Sequence, residues 1–292
     1  LIIIVFINYN YIIFFMIIWI ASYPKSGNTY IRSFVSAYYF SPEGKFDFDK
    51  LKNIKQFPNV EFFNFPIKNA EEASNSWLVA QKKIKDEKKI RFLKTHNCLG
   101  SYKGNPFTTL DYTLGAVYIV RDPRNIITSI MNHYSYDLDE AYEFMVDTNR
   151  SIKSDFDDYS TYSQLSSWGN HYKSWTNTKN LRKLIIKYED LENNKYETFR
   201  DIIVFLNTVA NRTERVNKEK LQNSIETTNF TVLKNLEKSK GFDEAIYSSK
   251  EKRKKTFFNL GFNNRWKKLL PSEMIKKIEK TFSNEMKDLG YL

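Results

Sequence analysis

The sequence predicts an α/β fold, a three-layer sandwich in which a central parallel sheet is flanked by helices. Apolar stretches of strand length at residues 16–21, 90–96, 114–120 and 183–191, the last ending in a turn, alternate with segments of helical period. Strands separated by helices pair in parallel, and a parallel sheet is covered on both faces. The 292 residues, 41% of them hydrophobic and 16% aromatic, suffice for a large buried core and exclude an intrinsically disordered chain.

Residues 1–20 are almost wholly apolar and about long enough to span a bilayer. No Lys or Arg precedes the run, Asn8 and Asn10 interrupt it, and it passes into the first strand without a stalk. Met16 is therefore read as the start of the domain, and residues 1–15 as a non-native or disordered apolar extension. A membrane anchor over 1–20 is the alternative.

Behind the first strand, Pro24 breaks the extended chain, and the spacing of Ile31, Phe34, Val35 and Tyr38 predicts a helix over 29–39. Between them, Lys25, Ser26 and Gly27 would lie at a helix N-terminus. Its unpaired N–H groups and partial positive charge favour a phosphate or sulfate, Lys25 adds a full charge, and Gly27 permits close approach. A nucleotide P-loop of the kinase kind places a glycine four residues before a Gly-Lys pair; here Lys25 comes before Gly27.

Residues 41–69 read as a loop whose Phe57, Phe62, Phe63 and Phe65 either roof the core or shape a substrate pocket. A helix over 70–86 precedes the 90–96 strand, which delivers Lys94 and His96 to its C-terminal end, where ligands of open α/β sheets collect. The 114–120 strand runs into Arg121, with Asp122 as N-cap, Pro123 at the first helical position, Ile126, Ile127 and Ile130 inward, and Ser129 two turns on. Residues 136–163, acidic and rich in Tyr and Asp, are expected to form a mobile helical lid or insertion. The helix over 166–177 carries Trp168, Tyr172 and Trp175 at packing intervals, with His171 in a structural role. Helices follow at 195–206, 217–225, 227–238 and 272–289, the last bracketed by Pro271 and Gly290. The basic run 250–255 suits a flexible loop near an anionic ligand, or a nucleic-acid patch.

The net charge of +11 favours anionic partners in general, although the excess of Lys, Asn, Ile, Phe and Tyr is also what AT-rich coding produces. Cys98, the one cysteine, excludes an internal disulfide and is compatible with a reducing, cytoplasmic setting. No metal-ligand cluster, internal repeat or dinucleotide fingerprint is present.

Taken in order, Pro24 to Tyr30, Lys94-Thr95-His96, Arg121 through Ser129, Tyr188-Glu189-Asp190-Leu191, and Gly261 with Trp266 resemble the sulfotransferases that use 3′-phosphoadenosine 5′-phosphosulfate (PAPS). The resemblance runs from about residue 19 to the end and implies a P-loop-like sandwich over 16–292 as a single domain. It also implies sulfuryl transfer to a hydroxyl or amine without a metal, with 3′,5′-bisphosphoadenosine (PAP) as product. By resemblance, Lys25, Ser26, Gly27, Asn28 and Thr29 hold the 5′-phosphosulfate, Arg121 and Ser129 the 3′-phosphate, and Tyr30, Tyr188, Thr228 and Phe230 the adenine, with Gly261 beside the cofactor. His96 is then the general base, and Lys94 and Lys25 carry catalytic charge. The implied partner is a small-molecule, lipid or glycan acceptor and not nucleic acid. The family's Arg-Lys pair before this glycine is Asn259-Leu260 here, which implies weaker cofactor binding with help from residues 253–255 or Arg265. Oligomeric state stays open. Two other readings are an ATP-dependent kinase and a non-catalytic nucleotide- or nucleic-acid-binding protein.

Overall fold

The computed structural model describes residues 16–154, 157–248 and 252–292. The expectations for residues 1–15, and for Lys250 and Glu251 of the basic run, lie outside them. In chain order the strands are β1 (Ile17–Ser22), β2 (Lys55–Gln56), β3 (Arg91–Thr95), β4 (Ser101–Tyr102), β5 (Asn105–Pro106), β6 (Thr113–Val120), β7 (Ser151–Ile152), β8 (Ser163–Gln164), β9 (Lys183–Lys187), β10 (Tyr247–Ser248) and β11 (Arg253–Lys254). The helices are α1 (Asn28–Phe40), α2 (Ala70–Asp86), α3 (Pro123–Tyr134), α4 (Leu138–Val146), α5 (Trp168–Thr176), α6 (Asp190–Asn193), α7 (Lys195–Val209), α8 (Lys218–Thr227), α9 (Phe230–Lys240), α10 (Trp266–Leu269), α11 (Ser272–Thr281) and α12 (Ser283–Asp288).

Five strands form one parallel sheet in the order β2-β3-β1-β6-β9. β1 lies in its centre and is buried along its whole length, which is why it reads as an unbroken apolar run. Alternate side chains of the central strands enter two separate cores. Ile17, Trp19 and Tyr118 pack with Trp77, Ile127, Trp168 and Trp175, while Ile18, Ile20 and Val117 pack with Ile31, Phe34, Phe199 and Ile202. The two helical layers and the sheet between them are the expected sandwich.

Sequence pattern sets several helix ends directly. Asn69 accepts from the Glu72 N–H ahead of α2, Asp122 from the Arg124 N–H with Pro123 opening α3, and Asp137 and Glu140 form a capping box on α4. The helix read from residue 227 begins instead at Phe230, because the Asn229 side chain caps it by accepting from the Val232 N–H. The expected 272–289 helix is two pieces, broken at buried Phe282.

The 41–69 segment contains β2, an edge strand only two residues long; Phe57 and Phe63 are buried in the core, Phe57 fully, against Trp19 and Phe107, Phe62 is partly buried against it, and Phe65 is exposed. Burying such a ring contributes roughly 1.5–3 kcal/mol, so the loop is pinned by its phenylalanines. Within the segment read as a helical lid or insertion, α4 puts Ala141, Phe144 and Met145 into the same core. Among the described residues, no helix is long and apolar enough to cross a membrane.

Candidate active site

The chain leaves β1 toward β2 and β3 on one side and reaches β6 on the other, so the β3-β1-β6 neighbourhood is the switch point of the sheet, where strand ends open a crevice. A cavity of about 630 Å³ lies there, lined from all three strand ends. Lys25, Gly27, Asn28, Thr29 and Tyr30 follow β1, Lys94 and His96 belong to the end of β3, and Arg121 follows β6.

Gly27 caps α1 at φ 101°, a conformation that favours glycine, and a Cβ there would come within 2.4 Å of the Tyr188 ring. Lys25 also takes a left-handed φ of 65°, a strained conformation costing about 1–3 kcal/mol for a side-chain-bearing residue. The turn is braced by Arg121, whose Nη1 donates to the Lys25 carbonyl and whose Nη2 donates to the Gly261 carbonyl, both at 3.2 Å. Its guanidinium lies 4.2 Å from the centre of the Tyr188 ring. Gly261 is held as closely, since a Cβ there would lie 2.6 Å from the Phe230 ring.

Among the described residues, several buried polar atoms of this cradle have no hydrogen-bond partner: the Ser26 and Tyr30 hydroxyls, the Asn28 Oδ1 and the Arg121 Nε. The Asn28 amide nitrogen is spent on the Ile20 carbonyl and the Ser22 hydroxyl. A buried polar atom left unpaired costs about 1–3 kcal/mol, so such a cluster at a helix N-terminus marks a place completed by a polar ligand. The first-turn N–H groups of α1 add donors for an anion. The residues present therefore fit a phosphorylated, sulfated nucleotide.

Charge in the cavity is compressed by burial. Lys25, 4.2 Å from the centre of the Phe257 ring, is pushed down to about 7 by burial and by Lys94 and Arg121 nearby, with Glu244 opposing. Lys94 is lowered by burial too, although its ammonium donates to Glu244 Oε2 at 3.0 Å. His96 is pushed down to about 3 by burial and by the Lys94 charge, so its imidazole is neutral at physiological pH. Its Nδ1 lies 2.8 Å from the Ser22 carbonyl, which can only accept. The ring proton is therefore on Nδ1, and Nε2 keeps its lone pair. His171, fully buried, donates from Nε2 to the His96 carbonyl at 3.1 Å and accepts from the Tyr118 hydroxyl at Nδ1. It fixes the backbone of His96, in keeping with its expected structural role.

Ser129, Tyr188, Phe230 and Gly261 also line the cavity. Two candidates do not. Ser26 lies buried within the cradle turn, and Thr228 is fully buried with its hydroxyl donating to the Ser224 carbonyl. Phe57, Phe62, Phe63 and Phe65 take no part in the lining either. The aromatic wall comes instead from Tyr134, Tyr136 and Phe144, with ring centres 5.2 to 6.2 Å apart, beside Ile152. Asn259 and Leu260 reach the cavity, whereas Arg253, Lys254, Lys255 and Arg265 do not line it. His133 and Glu244 were missed. His133 stands four residues after Ser129, on the same helix face, and that interval could have found it; nothing local marks Glu244.

Fold and site together define a group-transferring α/β protein that binds an anionic co-substrate at a strand-to-helix turn beside a neutral imidazole. The sulfotransferase domain model matches residues 17–290, and the chain belongs to that family. Mouse sulfotransferase 1E1 is 25% identical over 275 residues, covering 92% of this chain and 83% of the relative, and the rat protein is 23% identical over 273 residues with the same coverage. Among solved structures, mouse sulfotransferase SULT7A1 complexed with PAP has a TM-score of 0.59 at 18% identity, covering 94% of this chain and 87% of that one. Retinol dehydratase in complex with androsterone and PAP has a TM-score of 0.58 at 18% identity, covering 93% and 81%. The protein is a PAPS-dependent sulfotransferase, transferring a sulfuryl group to an acceptor.

Proposed function

We propose that His96 is the general base of this transfer, that Lys94 and Lys25 supply its electrostatic stabilisation, and that the acceptor lies against the Tyr134–Tyr136–Phe144 wall. The observation that carries this reading is the His96 tautomer: Nδ1–H is committed to Ser22, which leaves Nε2 able to take the proton of an acceptor hydroxyl or amine. PAPS supplies an activated sulfuryl group bound to a phosphate leaving group. Lys94 stabilises negative charge on the group in transit, and Lys25 neutralises the departing phosphate. The first turn of α1 with Ser26 and Thr29 holds the 5′ end, and Arg121 and Ser129 the 3′-phosphate. Tyr30, Tyr188 and Phe230 offer ring faces to the adenine, and Gly261 closes the site by its fit against Phe230. Positioning and electrostatics suffice for such a displacement.

The aromatic wall favours a small acceptor with a flat apolar body, a phenol or a lipid alcohol, over a glycan. Retinol dehydratase, a neighbour in fold, was solved with retinol and PAP. Residues 16–292 act as a single domain in this reading, and a cytoplasmic setting suits a fold whose only cysteine, Cys98, is buried and free.

Titrating PAP into the full chain by calorimetry between pH 6 and 9 tests the nucleotide half of this reading. Lys25 is charged below about 7 and neutral above it in the free protein, and a bound anion favours the charged form. PAP affinity is therefore expected to fall as the pH rises through 7, by up to about tenfold per pH unit, with a proton taken up on binding above 7. Affinity that is flat or rises with pH contradicts the placement of Lys25 on the nucleotide's phosphate.

A further inference from the structure

Glu244 lies on the loop joining α9 to β10, 150 residues along the chain from Lys94. Its carboxylate is shared among three partners. Oε2 accepts from Lys94 Nζ at 3.0 Å and from the Thr29 hydroxyl at 3.2 Å, and Oε1 pairs with Arg32 Nη1. Arg32 belongs to the scaffold, because its Nε and Nη2 donate to the carbonyls of Ile54 and Leu51. The loop is anchored on both sides of Glu244 by Phe242 and Ala245, both buried in the core on the α1 face of the sheet. The carboxylate is therefore delivered to this spot by packing.

Thr29 and Lys94 are the hydroxyl and the ammonium that the site reading gives to the sulfate-bearing end of the nucleotide. An acidic side chain already bonded to both is an internal anion in the position of an external one. Two anions cannot both take the same hydroxyl proton and the same ammonium face without like-charge repulsion, which costs several-fold to many-fold in affinity. We propose that Glu244 is an affinity-setting residue of the nucleotide site: its carboxylate competes with the nucleotide's 5′ end, the 5′-phosphate of PAP as well as the phosphosulfate of PAPS, for Thr29 and Lys94, yields them when nucleotide binds, and retakes them as PAP leaves. Arg32, held by two backbone carbonyls, remains as the anchor for Oε1 throughout. Lys94 is then never left as an unpaired buried charge, with or without nucleotide.

The inference rests on the site reading above, and PAP binding separates the two. PAP is titrated into the full-length wild type, Glu244→Gln and Glu244→Asp at pH 5.5, low enough for Lys25 to stay charged when the Glu244 carboxylate, which raises its pKa, is neutralised. Glu244→Gln is expected to bind PAP at least about tenfold more tightly than wild type, because the competing charge is gone. Glu244→Asp, whose shorter side chain cannot reach all three partners, should show a smaller gain and carries the test alone if the glutamine variant does not fold. Affinity unchanged or weakened in the folded variants overturns the proposal and makes Glu244 a support that holds Lys94 for the nucleotide. Absence of PAP binding in wild type and variants alike overturns the site reading itself, and the inference with it.

Discussion

Replacing His96 by alanine is expected to lower kcat by about 10³-fold, within the usual range for a general base, while PAP affinity stays within about twofold of wild type. The separation follows from where the imidazole sits. The His96 ring closes the β3 end of the cavity with its Nδ1 held by Ser22, through the carbonyl at 2.8 Å and the hydroxyl at 3.4 Å, whereas the donors aimed at the nucleotide come from the cradle, Lys94 and Arg121. Its pKa of about 3 also predicts that the acid limb of the rate profile does not come from His96 above pH 5, since the base is already neutral there. Single-turnover kinetics with a phenolic acceptor, paired with PAP calorimetry on the same variant, measures both quantities. A variant that keeps near wild-type turnover with normal PAP binding removes His96 from the base role, and loss of PAP binding in step with turnover gives it a binding role instead.

Changing Lys25 to methionine is expected to weaken PAP binding by about 1.5–3 kcal/mol, the range for a hydrogen bond to a charged group, and to remove the pH dependence of affinity above 7. Methionine keeps the unbranched stem as far as Cε without the ammonium, so most of the packing is retained while the charge is lost. The sign is fixed by the depressed pKa. Wild type loses the favourable charge as pH rises through about 7, and the variant has none to lose, so the two affinities should converge toward pH 9. Calorimetry at pH 6.5 and pH 9 reads this directly. An unaltered pH slope in Lys25→Met assigns the titration to another group.

Much of this site was legible because its parts are local. The Lys25 to Thr29 turn and the Arg121 junction each combine a strand pattern, a helix start and a chemical group within ten residues, and His96 sits at the end of a strand pattern. What escaped depends on distant chain. The edge strand β2 consists of Lys55 and Gln56, whose pairing is dictated by β3 and leaves no apolar alternation to read. Phe57 looks the same in sequence whether it lines a pocket or fills a core, and Trp19 and Phe107 decide the matter. Thr228 stands in register with adenine contacts by resemblance, yet the turn of helix before it captures its hydroxyl. Glu244 is one acid among many until the fold brings it to Lys94 and Arg32.

Thermal unfolding of the full chain with PAP, with ATP plus magnesium, and with neither tests the central claim most directly. PAP at about a hundred times its dissociation constant should stabilise the fold by about 2.7 kcal/mol, a rise of several degrees in the midpoint. ATP with magnesium should give far less. A rise confined to ATP with magnesium, or no rise with either nucleotide, contradicts the assignment of this cavity to PAPS.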